Sequence, residues 1–159
     1  MIGTKIYKND MKNYTECANW CNGNNATIED KGEYYECVAI PAPSLDELKQ
    51  DKINELKSTR DTLETEPIEY NGNLYDYDEK ARDRINVAIV ALSLQGEGAT
   101  IDWTTADNAD TPVTATDLKM IIAAVAVRSN ALHNVYRVAK EKVLNATTKE
   151  EVEKVVLND

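Results

Sequence analysis

The longest apolar periodicity in the chain lies near its C-terminal end. Leu118, Ile121, Ile122, Val125, Leu132, Val135, Tyr136, Ala139 and Val143 recur at three- and four-residue steps, the spacing that places side chains on one face of an α-helix. The pattern predicts a helix of about seven turns, opened by Thr114 or Thr116 and broken at Asn145-Ala146. At roughly 45 Å, such a helix is longer than a small domain needs. Arg128 and Ser129 interrupt its stripe, and a strict coiled-coil seam disfavours arginine there. We read the first half as packed within the chain and the second half as a contact between subunits.

Two shorter helices precede it. Leu45, Leu48, Ile53, Leu56 and Leu63 keep helical spacing after Ser44-Leu45-Asp46-Glu47, a capping box with Ser at the N-cap and Glu three residues on. Pro67 blocks continuation because proline has no backbone N–H to donate. Asp78 caps the next helix, with Ala81, Ile85, Ala88, Ile89 and Leu92 inward and Gln95-Gly96-Glu97-Gly98 as the stop. Between these helices, Asn71-Gly72 sits amid alternating apolar residues from Ile68 to Tyr77, the signature of a tight β-hairpin. Ile101 to Val113 reads as a second short hairpin or extended loop carrying Trp103. Thr147-Thr148-Lys149-Glu150-Glu151 repeats the capping-box pattern before a final short helix, with Val152, Val155 and Val156 inward.

Residues 1–40 have a different texture. Lys5-Ile6-Tyr7-Lys8 reads as a strand, and Tyr14 to Cys21 as a short helix with Thr15 as its N-cap. Asn22-Gly23-Asn24-Asn25 reads as a stop. Residues 26–29 and 34–40 flank Asp30-Lys31-Gly32 as a hairpin. The chain is therefore expected to be α+β: a small β-rich module, β-α-β-β, over residues 1–40, a Pro41-Ala42-Pro43 linker over 41–43, and a helical domain of three to four helices with two β-hairpins over 44–159.

Composition narrows the function classes. With 28 acidic and 18 basic residues the net charge is -10, which disfavours nucleic acid and anionic lipid as partners. No run approaches the roughly 18 apolar residues of a membrane span, and the N-terminus lacks a signal peptide's apolar stretch. We therefore expect no membrane insertion, and synthesis in a cytoplasm. Phe is absent and Tyr occurs eight times. Its rings favour half-buried positions and interfaces. The three cysteines, Cys17, Cys21 and Cys37, are an odd count with no secretory context, so we read them as buried free thiols. A metal site would need a third and usually a fourth ligand, and the one histidine, His133, lies far along the chain. No metal and no cofactor are expected.

Three groups of residues carry chemistry worth reading. Asp102, Asp107 and Asp110 do not follow the alternating spacing of a calcium loop and read as turn and capping side chains. Asp76 and Asp78, near Glu66 and Glu69, resemble a carboxylate pair, but glycosidase chemistry needs two carboxylates across a deep cleft. A lone His133 has no nucleophile beside it in sequence. No catalytic residue is assigned. The interaction candidates are the aromatics Trp20, Tyr34, Tyr35, Trp103 and Tyr136. For Trp103, core packing beside its hairpin competes with the role of an interface anchor.

The block from about Ser44 to Val156 resembles the phage tail-associated domain of unknown function 4376 family. The resemblance rests on the order of its pieces. Ser44-Leu45-Asp46-Glu47-Leu48 comes first, then Tyr70-Asn71-Gly72-Asn73-Leu74-Tyr75-Asp76-Tyr77-Asp78, then Arg82-Asp83-Arg84-Ile85-Asn86. Trp103-Thr104-Thr105-Ala106-Asp107-Asn108 follows, then Thr114-Ala115-Thr116-Asp117-Leu118, and Thr148-Lys149-Glu150-Glu151-Val152 closes it. The family occurs in tailed phages and prophages and has no assigned catalytic residues. The resemblance implies a non-enzymatic tail component, associated with the fibre or baseplate, that binds other phage tail proteins and forms a homo-oligomer, a trimer in keeping with three-fold fibres. It implies a virion tail location after synthesis in the bacterial host cytoplasm. The alternative it implies is a tail-fibre assembly chaperone absent from the mature particle. Residues 1–43 fall outside the resemblance and are expected to attach the chain to the particle.

Overall fold

A computed structural model describes residues 1–157; the last two positions of the expected helical domain, Asn158 and Asp159, lie outside the described residues. The chain forms two compact units, Met1–Ser44 and Leu45 onward. The fold is α+β.

In the first unit, β1 (Lys5–Tyr7), α1 (Met11–Asn22), β2 (Ala26–Asp30) and β3 (Tyr34–Ala39) follow in order. The strands form an antiparallel sheet in the order β1-β3-β2. Ile6 pairs with Tyr35, and Ile28 pairs with Cys37. Because side chains alternate across a strand, Ile6, Ile28, Tyr35 and Cys37 share the face that α1 covers. The helix begins earlier than its apolar spacing predicts. Asp10, not Thr15, is the N-cap and accepts from Asn13 N at 3.2 Å, while Thr15 sits inside the helix and donates to Met11 O. The first turn escapes a periodicity reading because Met11 and Asn13 are exposed. Only Cys17 and Cys21, one turn apart, are buried on α1.

The second unit is built along one long helix. Its elements are α2 (Leu45–Glu64), β4 (Ile68–Tyr70), β5 (Asn73–Tyr75), α3 (Glu79–Gln95), β6 (Thr100–Thr104), β7 (Asp110–Thr114), α4 (Ala115–Asn145) and α5 (Lys149–Glu153). The β4–β5 turn has φ 50° at Asn71 and φ 78° at Gly72. Left-handed values at both central positions define the turn whose twist matches its strands. Asp78 caps α3 through Ala81 N. Thr148 and Glu151 form a reciprocal capping box on α5, satisfying two otherwise unpaired N–H groups.

Two cores are strung along α4. The first joins Tyr75, Ile85, Ala88, Leu92, Trp103 and Val113 to Leu118 and Ile121 at the N-terminal half of α4. The second joins Ile53 and Leu56 of α2 and Val152 of α5 to Ala139 and Val143 at its C-terminal half. The length of α4 is thus explained within the chain. The inward stripe of its second half, expected to meet another subunit, is covered by α2 and α5 instead. Val156 also departs from expectation: α5 ends at Glu153, and Val156 is exposed while Val152 is buried.

The start of α4 carries an acid-sensitive joint. Thr114 N and Oγ1 donate to Asp117 at 2.9 and 2.6 Å, Asp117 N donates back to Thr114 Oγ1, and Tyr70 OH donates to Asp117 at 3.1 Å. The Thr114 hydroxyl and backbone N–H, together with Tyr70, hold the Asp117 carboxyl below its ordinary 3.8. A depressed folded value stabilises the fold above the unfolded pKa, and that stability is lost as pH falls through the folded value. The stability gap between the wild type and Asp117→Asn, measured by urea unfolding, should therefore be largest at neutral pH and close below about pH 4. A gap unchanged down to pH 3 would reject the role of this carboxylate.

Candidate interaction surface

Between the two cores lies a cleft of about 480 Å³, lined by Glu64 and Thr65 at the end of α2, Asp78, Glu79 and Arg82 at the start of α3, and Ser129 on α4. The interruption of the apolar stripe at Arg128 and Ser129 has its reason here. Arg128 Nη2 donates to Glu64 O at 2.9 Å and Nη1 to Pro67 O at 3.2 Å. Carbonyls at the end of a helix lack partners within it, and the guanidinium fork supplies them. Ser129 Oγ donates to Glu64 Oε1 at 2.8 Å, and His133 Nε2 lies 3.0 Å from the same oxygen. Arg128 Nε is the one buried side-chain polar atom without a partner among the described residues.

The geometry limits the chemistry this cleft can perform. The Ser129 hydroxyl points its proton at a carboxylate, not at the imidazole, so the three groups are not ordered as nucleophile, base and orienting acid. One oxygen of Asp78 is committed to Ala81 N at 2.7 Å, which fixes that carboxylate as a cap. No group of three or more His, Cys, Asp or Glu among the described residues is arranged to hold a metal. The arrangement joins α2 to α4 at the place where the two cores meet.

Two of the three aspartates, Asp107 and Asp110, serve the turn between β6 and β7, whereas Asp102, expected as a turn or capping residue, lies within strand β6 opposite Pro112. Asp107 accepts from Thr105 Oγ1, and Asp110 accepts from Thr104 Oγ1 at 2.9 Å. Ala106 N donates to Leu74 O at 2.8 Å, which ties the second hairpin to the first. The Thr105 hydroxyl beside Asp107 and the Ala109 N–H hold that carboxyl low. These are turn contacts, formed by side chains suited to that role.

The aromatic candidates do not converge. Trp103 is 5% exposed and belongs to the first core, with the Arg84 guanidinium 4.8 Å above its ring. It is a core residue. Trp20 is half-buried against Cys21, Ala26 and Cys37. Tyr34 and Tyr35 are neighbours on β3 and so point to opposite faces of their sheet. Tyr34 meets Tyr7 edge-on, and Tyr35 meets Tyr14 at 5.0 Å on the α1 side. Tyr136 lies half-buried under the Arg60 guanidinium, 4.8 Å away, between α2 and α4.

The surface that does stand out is aliphatic and includes none of the aromatic candidates. On α3, Val87, Val90 and Leu94 are 70, 61 and 85% exposed. They recur at three- and four-residue steps on the side opposite Ala81, Ile85, Ala88 and Leu92. A helix that is apolar all round is ordinarily covered all round. A second exposed line, Met120, Val127 and Val138, runs along α4. The signal was present in the sequence: Val87-Ala88-Ile89-Val90-Ala91-Leu92 leaves no polar face in that stretch.

Among the described residues no helix is long and apolar enough to cross a membrane. A family model described as Domain of unknown function (DUF4376) matches residues 47–156. No curated protein and no solved structure matches the chain.

Proposed function

This chain belongs to the DUF4376 family, and on that footing we propose that it is a non-enzymatic component of a phage tail, associated with the fibre or baseplate, that acts by binding protein. The observation that carries the binding reading is the outward apolar line Val87, Val90 and Leu94 on α3. Contiguous apolar surface on a soluble chain marks a site of association. A net charge of -10 keeps the free chain from indiscriminate aggregation until a matching surface is found. The tail setting is supported by the family resemblance of residues 44–156, and the partners it suggests are other tail proteins and further copies of this chain, as a trimer.

Light scattering on the purified chain tests the self-association, and a mass-spectrometric inventory of purified particles tests the location. A trimer in solution and the chain among the particle proteins is the expected result. A monomer that is also missing from the particle would overturn the reading of a mounted component and leave the assembly chaperone in its place.

A further inference from the structure

The first unit is short of core. Its buried apolar side chains are Ile6, Cys17, Cys21, Ala26 and Cys37, so three of these five are cysteines and none is aromatic. Units of about 40 residues seldom bury enough surface to hold together without a disulfide, a metal or a partner. The thiols meet in that core. Cys21 Sγ on α1 and Cys37 Sγ on the central strand β3 lie 3.2 Å apart, buried, at positions 16 residues apart in sequence. Cys17 is buried one turn away on the same helix face. These sulfurs are not placed with a third ligand for a metal. A covalent bond between two of them would tie the helix to the middle of the sheet, the place where one cross-link restrains both layers.

We propose that Cys21 and Cys37 form a redox-closable staple of the Met1–Ser44 unit, bridged by thiol–disulfide exchange with a small disulfide such as oxidised glutathione. The balance is complete. One thiolate attacks a glutathione sulfur and releases one glutathione thiolate. The other then attacks the protein sulfur of the mixed disulfide and releases the second. The chain loses two protons and two electrons, and one glutathione disulfide becomes two glutathione thiols. Both attacks need a thiolate. Burial and the hydrogen bond with Cys37 push the Cys21 thiol up to about 11, so exchange proceeds through opening of the unit and the closed fold then guards whichever state was made. Cys17 remains free.

The test uses the full chain equilibrated with glutathione disulfide, then denatured, alkylated and cut with trypsin. Cleavage after Lys12, Lys31 and Lys49 puts Cys17 and Cys21 on one peptide and Cys37 on another. The expected product has one alkylated thiol, and its two peptides are joined by a bond that survives in Cys17→Ser and is absent in Cys21→Ser. Hydrogen exchange on the intact protein provides the second readout. Amides of α1 and β3 should exchange at least tenfold more slowly after oxidation, as expected when a loop of this length is closed. Three alkylated thiols, a stable glutathione adduct, or a bridge confined to the peptide holding Cys17 and Cys21 would each overturn the proposal. So would a cross-link that leaves exchange unchanged.

Discussion

Trp103→Ala is expected to destabilise the second unit by about 3–5 kcal/mol, the range for removing a buried large aromatic. The melting temperature should fall by roughly 10–20 °C for a unit of this size. The ring sits at 5% exposure among Ile85, Leu92, Val113, Leu118 and Ile121. These residues come from α3, β7 and α4, so one cavity loosens three elements. The substitution also removes the surface beneath Arg84, whose guanidinium lies 4.8 Å from the ring in a contact of about 0.5–1 kcal/mol. Thermal unfolding followed by far-UV circular dichroism reads the effect. Had Trp103 been an interface anchor, alanine would weaken binding and leave melting unchanged, and that outcome would reject its place in the core.

What the residues disclosed in advance follows from how local each signal is. Asn71-Gly72, Asp78, Thr114 and the Thr148–Glu151 pair were legible because a cap or a tight turn is decided within four residues by hydrogen-bond geometry. The start of α1 was hidden because its first turn has no buried side chain, so periodicity has nothing to count; only Asp10, three residues before Asn13, carried the information. The role of Arg128 was hidden for a different reason. Its partners, the carbonyls of Glu64 and Pro67, lie more than sixty residues earlier, and no local pattern announces such a pair. The same holds for Cys21 and Cys37, which only the α1–β3 packing brings together. The candidate surface was half legible. Aromatic residues are good markers of binding sites in general, but here the candidate rings are absorbed by cores, by one another and by cations, while the most exposed large apolar side chain, Leu94, is aliphatic and lies on the outer face of α3 beside Val87 and Val90.

That outer face leads to the second large effect. The double variant Val90→Glu with Leu94→Lys is expected to weaken association of the chain, with itself or with a tail partner, by at least about 100-fold. Covering a valine or leucine contributes about 1.5–3 kcal/mol, and the variant also asks two charges to leave water. The fold should be indifferent. Both positions are more than half exposed, surface substitutions ordinarily stay within about 0.5 kcal/mol, and Glu four residues before Lys is the favourable order on a helix. Because one charge of each sign is added, the net charge stays at -10, so a loss of association cannot come from altered long-range repulsion. Sedimentation velocity across a concentration series, beside a melting curve, separates the two effects. Unchanged melting with a monomer in place of the trimer is the expected pair of results. An assembly that survives both substitutions would remove α3 from the interface and with it the observation on which the binding function rests.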